Sequence, residues 1–170
     1  SRIDRLDEDA RRILQLGSVI GRSFYHRVIE SICGSDIAID KELGALERAE
    51  LISEASRIPE LEYSFRHDLT REAAYASILI RQRREFHRGV GEAVENLFTG
   101  RLEEQAHRLA HHFYEAGDDQ RALKYSMMAG DSAAAMYAHQ EANEHYTKAL
   151  ELIGRVDSAD EQVIAVYKTR

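Results

Sequence analysis

The sequence has no tryptophan, one proline and one cysteine in 170 residues. A lone Cys33 excludes an intrachain disulfide and any multi-cysteine zinc site, and makes a reducing, cytoplasmic setting the expectation. With Pro59 as the sole proline, almost nothing breaks a helix from within. No apolar run reaches the about 18 residues of a membrane-spanning helix, and no signal-peptide pattern opens the chain, so no membrane partner is expected. Positive charge is also short. A formal net charge of −7 argues against general affinity for nucleic acid or anionic membranes. The glycines of "GSVIGRSF" lack the lysine and the spacing of a phosphate-binding loop. Cys33 has no activating neighbour in sequence, and no carboxylate pair stands apart from the rest. Neither catalysis by this chain alone nor a resident metal or cofactor is expected. The opening "SRIDRLDEDARR" and the closing "AVYKTR", which carries no stop signal, read as a piece of a longer protein.

What is present is a helix-former's alphabet, rich in Ala, Leu, Glu and Arg, with 44% hydrophobic and 31% charged residues. "LDEDARRILQLGSVIG" begins with an acidic turn and carries Leu6, Ala10, Ile13, Leu14 and Gly17 at helical spacing up to Gly21. "SFYHRVIESIC" predicts a second helix with Ser23 as its N-cap and Phe24, Val28 and Ile32 inward. "IDKELGALERAEL" predicts a third, with Ile39, Leu43 and Leu46 inward. "LISEA" and "LEYSF" then read as two strands, because Leu61, Tyr63 and Phe65 alternate with Glu62, Ser64 and Arg66. Three helices followed by a hairpin is the order of a winged helix, expected over residues 1–79.

Residues 80–170 read as helix after helix. "RQRREFHRGVGEAVENLF" places Phe86, Val90, Ala93, Val94 and Leu97 on one stripe before "TGR" interrupts. Leu109, Ala110 and Phe113 follow in one helix, Ala122, Tyr125 and Ala129 in the next, and Ala142, Tyr146, Ala149 and Leu150 in a last helix that Gly154 should stop. Small residues at fixed offsets in helix pairs resemble tetratricopeptide repeats, which stack into a solenoid. The spacing from Ala122 to Ala142 is 20 residues, not the about 34 of a regular array. "AGDSAAAMYA" is therefore a shortened helix or an extension of the helix before it. The predicted class is mainly α, with a winged-helix-like module, a small β-hairpin and a helical solenoid.

Three constellations carry candidate chemistry. In the third helix Asp40, Glu42, Glu47 and Glu50 outnumber Lys41 and Arg48, so the helix that would enter a major groove repels DNA. Arg81, Arg83, Arg84 and Arg88 form the one basic cluster, which suits an acidic partner surface or simply a solvated helix face. His107, His111 and His112 stand with Glu115. His107 and His111 are one helical turn apart with Glu115 continuing their face, a spacing that can hold a metal, but it lacks the general base of H-E-x-x-H, and two histidines on an exposed helix face are commonly plain polar residues.

"RIDRLDEDARRILQLGSVIGRSF", "YSFRHDLTREAAYASIL" and "AHHFYEAGDDQRALKYSMMAGDSAA" together resemble the region that follows the nucleotide-binding module of STAND-type signalling ATPases. Such bacterial regulators are joined to adenylate or guanylate cyclase, LuxR-type DNA-binding or kinase domains. The resemblance implies a non-catalytic regulatory piece: a winged helix docking on an ATPase module, and a helical arm receiving a protein or small-molecule signal. It implies ADP or ATP with Mg²⁺ in the parent protein. It also gives His67 and Asp68 a role, as the His-Asp pair of the MHD motif whose histidine contacts ADP phosphates in the closed state. Arg66 stands where that motif has an apolar residue. From the residues alone, Asp68 is equally a cap for the helix that follows. A winged-helix transcription regulator and a free-standing peptide-binding scaffold are the alternative readings.

Overall fold

The computed structural model describes residues 1–168, and the side chains of residues 1–158. The protein is mainly helical with one small antiparallel sheet. Two compact units divide it, Ser1–Ala93 and Val94–Arg170. The sequence-based boundary after Leu79 thus falls 14 residues early, and the seam lies within a helix.

In the first unit, α1 (Glu8–Ile20) leads into β1 (Ser23–Tyr25), α2 (His26–Cys33) and α3 (Ile39–Arg48), then β2 (Ile52–Ser56) and β3 (Glu62–Phe65). α4 (Asp68–Ala76) and the start of α5 (Ile80–Leu97) follow. The sheet order β1-β3-β2, with both pairings antiparallel, is the winged-helix arrangement. Here the sequence expectation needs correcting. Ser23 is not a helix cap: it pairs with Ser64 across the sheet, its hydroxyl donates to Glu62 at 2.6 Å, and α2 starts only at His26. Two aromatic residues, Phe24 and Tyr25, favour a pleated half-buried surface over a first helical turn.

Phe24 is the centre of this core. Its ring stacks with Tyr63 at 6.0 Å and meets Phe65 edge-on at 5.9 Å. On its other side it lies against α1, whose Ile13, Leu14 and Leu16 are fully buried. Gly17 makes that approach possible, since a Cβ there would sit 2.8 Å from the Phe24 ring. Val28 and Ile29 of α2, Leu43 and Leu46 of α3, and Ile52 of β2 complete the core. The acids of α3 are partly used within the fold: Glu42 is buried beside Lys41, and Asp40 bonds His26 of α2 at 2.7 Å.

In the second unit, α6 (Leu102–Ala116), α7 (Asp119–Ala135) and α8 (His139–Lys168) follow one another, with α7 packed on both neighbours. Gly117 closes α6 in the left-handed region, at φ 78°, where a glycine carries no steric cost. The Asp118 carboxylate then caps α7 by accepting from the Arg121 amide at 3.0 Å. "AGDSAAAMYA" proves largely an extension of α7 rather than a separate helix. Two expectations fail here. Gly154 does not stop α8, and Leu150 is 71% exposed while Leu152 is fully buried. A stripe running Ala142, Ala149, Leu152 keeps helical phase, and Leu150 is rotated off it. Close packing of α7 on α8 rests on Gly130, where a Cβ would lie 2.5 Å from the Tyr146 ring.

Replacing Gly17 by Ala forces the Phe24 ring to move within a filled core. Gly17→Ala is expected to destabilise the first unit by about 1–3 kcal/mol in urea unfolding, despite alanine's better helix propensity. A stabilised variant would show that the ring yields freely.

Candidate functional site

The joint between β3 and α4 is built from both sides of the sheet. The Phe65 amide donates to the Arg22 carbonyl at 3.0 Å, and the Arg66 amide to the Leu51 carbonyl at 3.1 Å. The last strand residues are thus gripped by both neighbouring chain segments before the helix starts. His67 occupies the N-cap position with extended backbone, φ −138° and ψ 137°, and its carbonyl accepts from Thr70 and Arg71. No side chain caps α4. The sequence reading of Asp68 as the cap is therefore corrected: Asp68 is the first helical residue, where its charge complements the helix dipole. It pairs with Arg22 Nε at 3.4 Å, both groups being exposed. In solvent such a pair contributes little stability. The His67 side chain is exposed, and among the described residues it makes no hydrogen bond or ion pair. Leu69, the next residue but one, is 77% exposed. The joint thus presents an imidazole, a carboxylate–guanidinium pair and an apolar side chain on adjoining residues.

The basic cluster is divided by the fold. Arg81, Arg84 and Arg88 are exposed along α5. Arg83 instead lies over the Tyr75 ring, 4.6 Å from its centroid, and donates to the Ala76 carbonyl at 3.3 Å. Tyr75 in turn hydrogen-bonds the buried His87 at 3.0 Å. Arg83 therefore serves to hold α4 against α5. Cys33 is buried, and desolvation raises its pKa against the opposing charge of Arg12, with Asp9 adding to the rise, so it stays a thiol.

A second candidate lies in the helical unit. A groove of about 260 Å³ runs along α6 and α8, with Ser126 of α7 among its lining residues. His107, His111, Tyr114 and Glu115 come from α6, and Glu144, His145 and Lys148 from α8. Lys148 Nζ is drawn over the Tyr114 ring, 4.0 Å from its centroid, and lies 3.8 Å from Glu151. Desolvation lowers the His107 pKa from its ordinary value; the charges of Arg108 and His145 act the same way, and Glu141 opposes them. Sequence reading found the α6 face but missed His145, since nothing local tells which side of α8 meets α6. Arg22 escaped it too: its approach to Asp68 depends on the pairing of the three-residue β1 with β3, which no local pattern shows.

Apart from this groove, a half-buried polar network anchors the start of α7. The Tyr125 ring is fully buried and stacks on Phe113 at 5.7 Å, and its hydroxyl donates to Glu95. Arg121 bridges Glu95 at 3.2 Å and Asp118 at 2.6 Å and lies over Phe113. Burial, then the Glu95 hydrogen bond and charge, raise the Tyr125 pKa.

Compared with known proteins, the sequence matches no family model, and no curated protein matches it significantly.

Removing the Tyr125 hydroxyl leaves Glu95 with one partner fewer in a partly desolvated place. Tyr125→Phe is expected to cost about 1–3 kcal/mol in urea unfolding. The pH dependence has a definite sign. An unfolded tyrosine ionises near pH 10, about where free tyrosine does, while the folded one holds its proton beyond that. The unfolded state therefore loses the proton first, and stability falls as pH rises past about 10. In Tyr125→Phe this component of the alkaline slope should vanish; an unchanged slope would show that the hydroxyl is not held as described.

Proposed function

We propose that this chain is a non-catalytic regulatory piece of a cytoplasmic STAND-type signalling ATPase. Its winged-helix unit docks on the nucleotide-binding module, and its helical unit receives a protein or small-molecule signal. The observation that carries this reading is the β3–α4 joint. A rigid sheet holds His67 at a helix start, its ring exposed and unengaged, beside an Asp68 already neutralised by Arg22. An imidazole so placed can donate to a phosphate oxygen supplied by another module, a charge-assisted bond made only in the docked state. Leu69 offers apolar area for the same contact. The exposed Arg81, Arg84 and Arg88 provide a face for an acidic surface of the parent. DNA is not the proposed partner, because the acids of α3 (Asp40, Glu42 and Glu47) outnumber its bases (Lys41 and Arg48), and Asp40 is exposed.

Switching then follows from differential binding. The nucleotide state favours the docked or undocked arrangement, and a ligand on the helical unit shifts the balance only by preferring one. In the full-length parent with its ATPase module, His67→Ala is expected to weaken ADP retention about 10- to 100-fold, as loss of one charge-assisted hydrogen bond implies. Output should rise without the activating signal. ADP retention and output both equal to wild type would falsify the assignment.

A further inference from the structure

We infer that the groove along α6 and α8 is a binding site for a linear aliphatic polyamine, whose end ammonium groups are held by Glu115 and Glu144. The inference names the chemistry of the small-molecule signal in the reading above, and rests on that reading only for the regulatory use of the site. Helix register places the two carboxylates. Short turns on either side of α7 make α6 and α8 run in the same direction. His107 of α6 is neighboured by Glu141 and His145 of α8, and two turns on, Tyr114 meets Lys148 and Glu151. Glu115 is therefore level with Glu151, and Glu144, on the opposite wall, is level with Arg108. At about 1.5 Å of rise per residue the two acids stand about 10 Å apart along the groove. That span fits a chain with an ammonium at each end and methylenes between, not a single small cation.

Both carboxylates are open to such a ligand. Among the described residues Glu115 makes no hydrogen bond or ion pair, and Glu144 accepts only from the neutral Gln140 amide at 3.3 Å. Lys148 lines the groove too, but its charge is drawn to the Tyr114 ring and to Glu151. The floor supplies an independent mark. Ser126 of α7 is only 1% exposed and lines the groove, and its hydroxyl makes no hydrogen bond among the described residues. A buried hydroxyl without a partner is costly, and a donor entering the groove would meet it. His107 adds an acceptor. Desolvation lowers its pKa, with the charges of Arg108 and His145 adding and Glu141 opposing, so its imidazole is neutral at pH 7. Ala110 gives apolar surface to the methylenes. Two carboxylates, a neutral imidazole and an unmatched hydroxyl suit a cation rich in N–H donors; an anion would meet both acids.

The test is isothermal titration calorimetry of the whole chain with spermidine, in physiological salt that screens diffuse attraction to an acidic protein. The expected result is one spermidine per chain. Glu115→Gln and Glu144→Gln should each weaken binding about 10- to 100-fold, as loss of one hydrogen bond to a charged group implies. Ser126→Ala should weaken it about two- to tenfold. Glu103→Gln removes the same charge from α6 outside the groove and should bind as wild type does. 1,2-Diaminoethane, too short to reach both acids, should not displace spermidine. All variants should keep wild-type circular dichroism. Absence of saturable spermidine binding overturns the inference. So does a Glu103→Gln loss as large as that of Glu144→Gln, which would mark attraction to net charge alone. The titration reads binding by this chain only, so its failure leaves the His67 assignment standing, and failure of that assignment leaves this site standing.

Discussion

Pairing of β1 with β3, sealed by Phe24 against Gly17, is the contact on which the first unit depends. β1 has only three residues, too few to be stable alone. It persists because Phe24 buries its ring among Tyr63, Phe65 and α1, while Ser23 reaches Glu62 across the strands. Once β1 is in place, Arg22 is fixed beside the start of α4, and its carbonyl takes the Phe65 amide. The charge pair with Asp68 follows from this geometry rather than creating it. His67 inherits a fixed position from the sheet while its ring stays unengaged. A residue held firmly by its backbone and loosely by its side chain is suited to contact a second body.

The helical unit solves a different problem. Its helices approach closely at Gly130, and α7 is registered by polar atoms near its start. Asp118, Arg121, Tyr125 and Glu95 form one connected set, so α7 cannot slide without breaking several charged contacts together. That register places α6 and α8 as two walls of a groove. The polar character of these walls, with imidazoles from both, separates this unit from a solenoid whose groove is merely apolar.

Much of this was legible in the sequence, and the misses have physical causes. Long amphipathic stretches such as α1, α5 and α6 announced themselves, because many residues vote for one period. The alternation of Tyr63 and Phe65 with Glu62 and Ser64 marked β3. β1 was invisible because its evidence lies in a partner strand some 40 residues away, Ser23 pairing with Ser64. Gly154 was overread: one glycine in a helix costs only about 1 kcal/mol, too little to end α8. His67 and Asp68 do stand at a strand-to-helix joint, but the N-cap position falls on His67 and Asp68 is the first helical residue. His145 needed the register of α6 against α8, which no local pattern encodes.

The account makes the β3–α4 joint a rigid mount, held from β1 and β2, for an unengaged imidazole. Residue-resolved amide hydrogen exchange addresses this most directly. The Phe65 and Arg66 amides, bonded to the Arg22 and Leu51 carbonyls, should exchange only as slowly as the core of the unit unfolds. In Phe24→Ala the Phe65 amide should lose that protection before the β2–β3 pairing does. A Phe65 amide that exchanges as fast as an exposed loop in the unaltered protein would contradict the account, because the joint would then have no rigid support from β1.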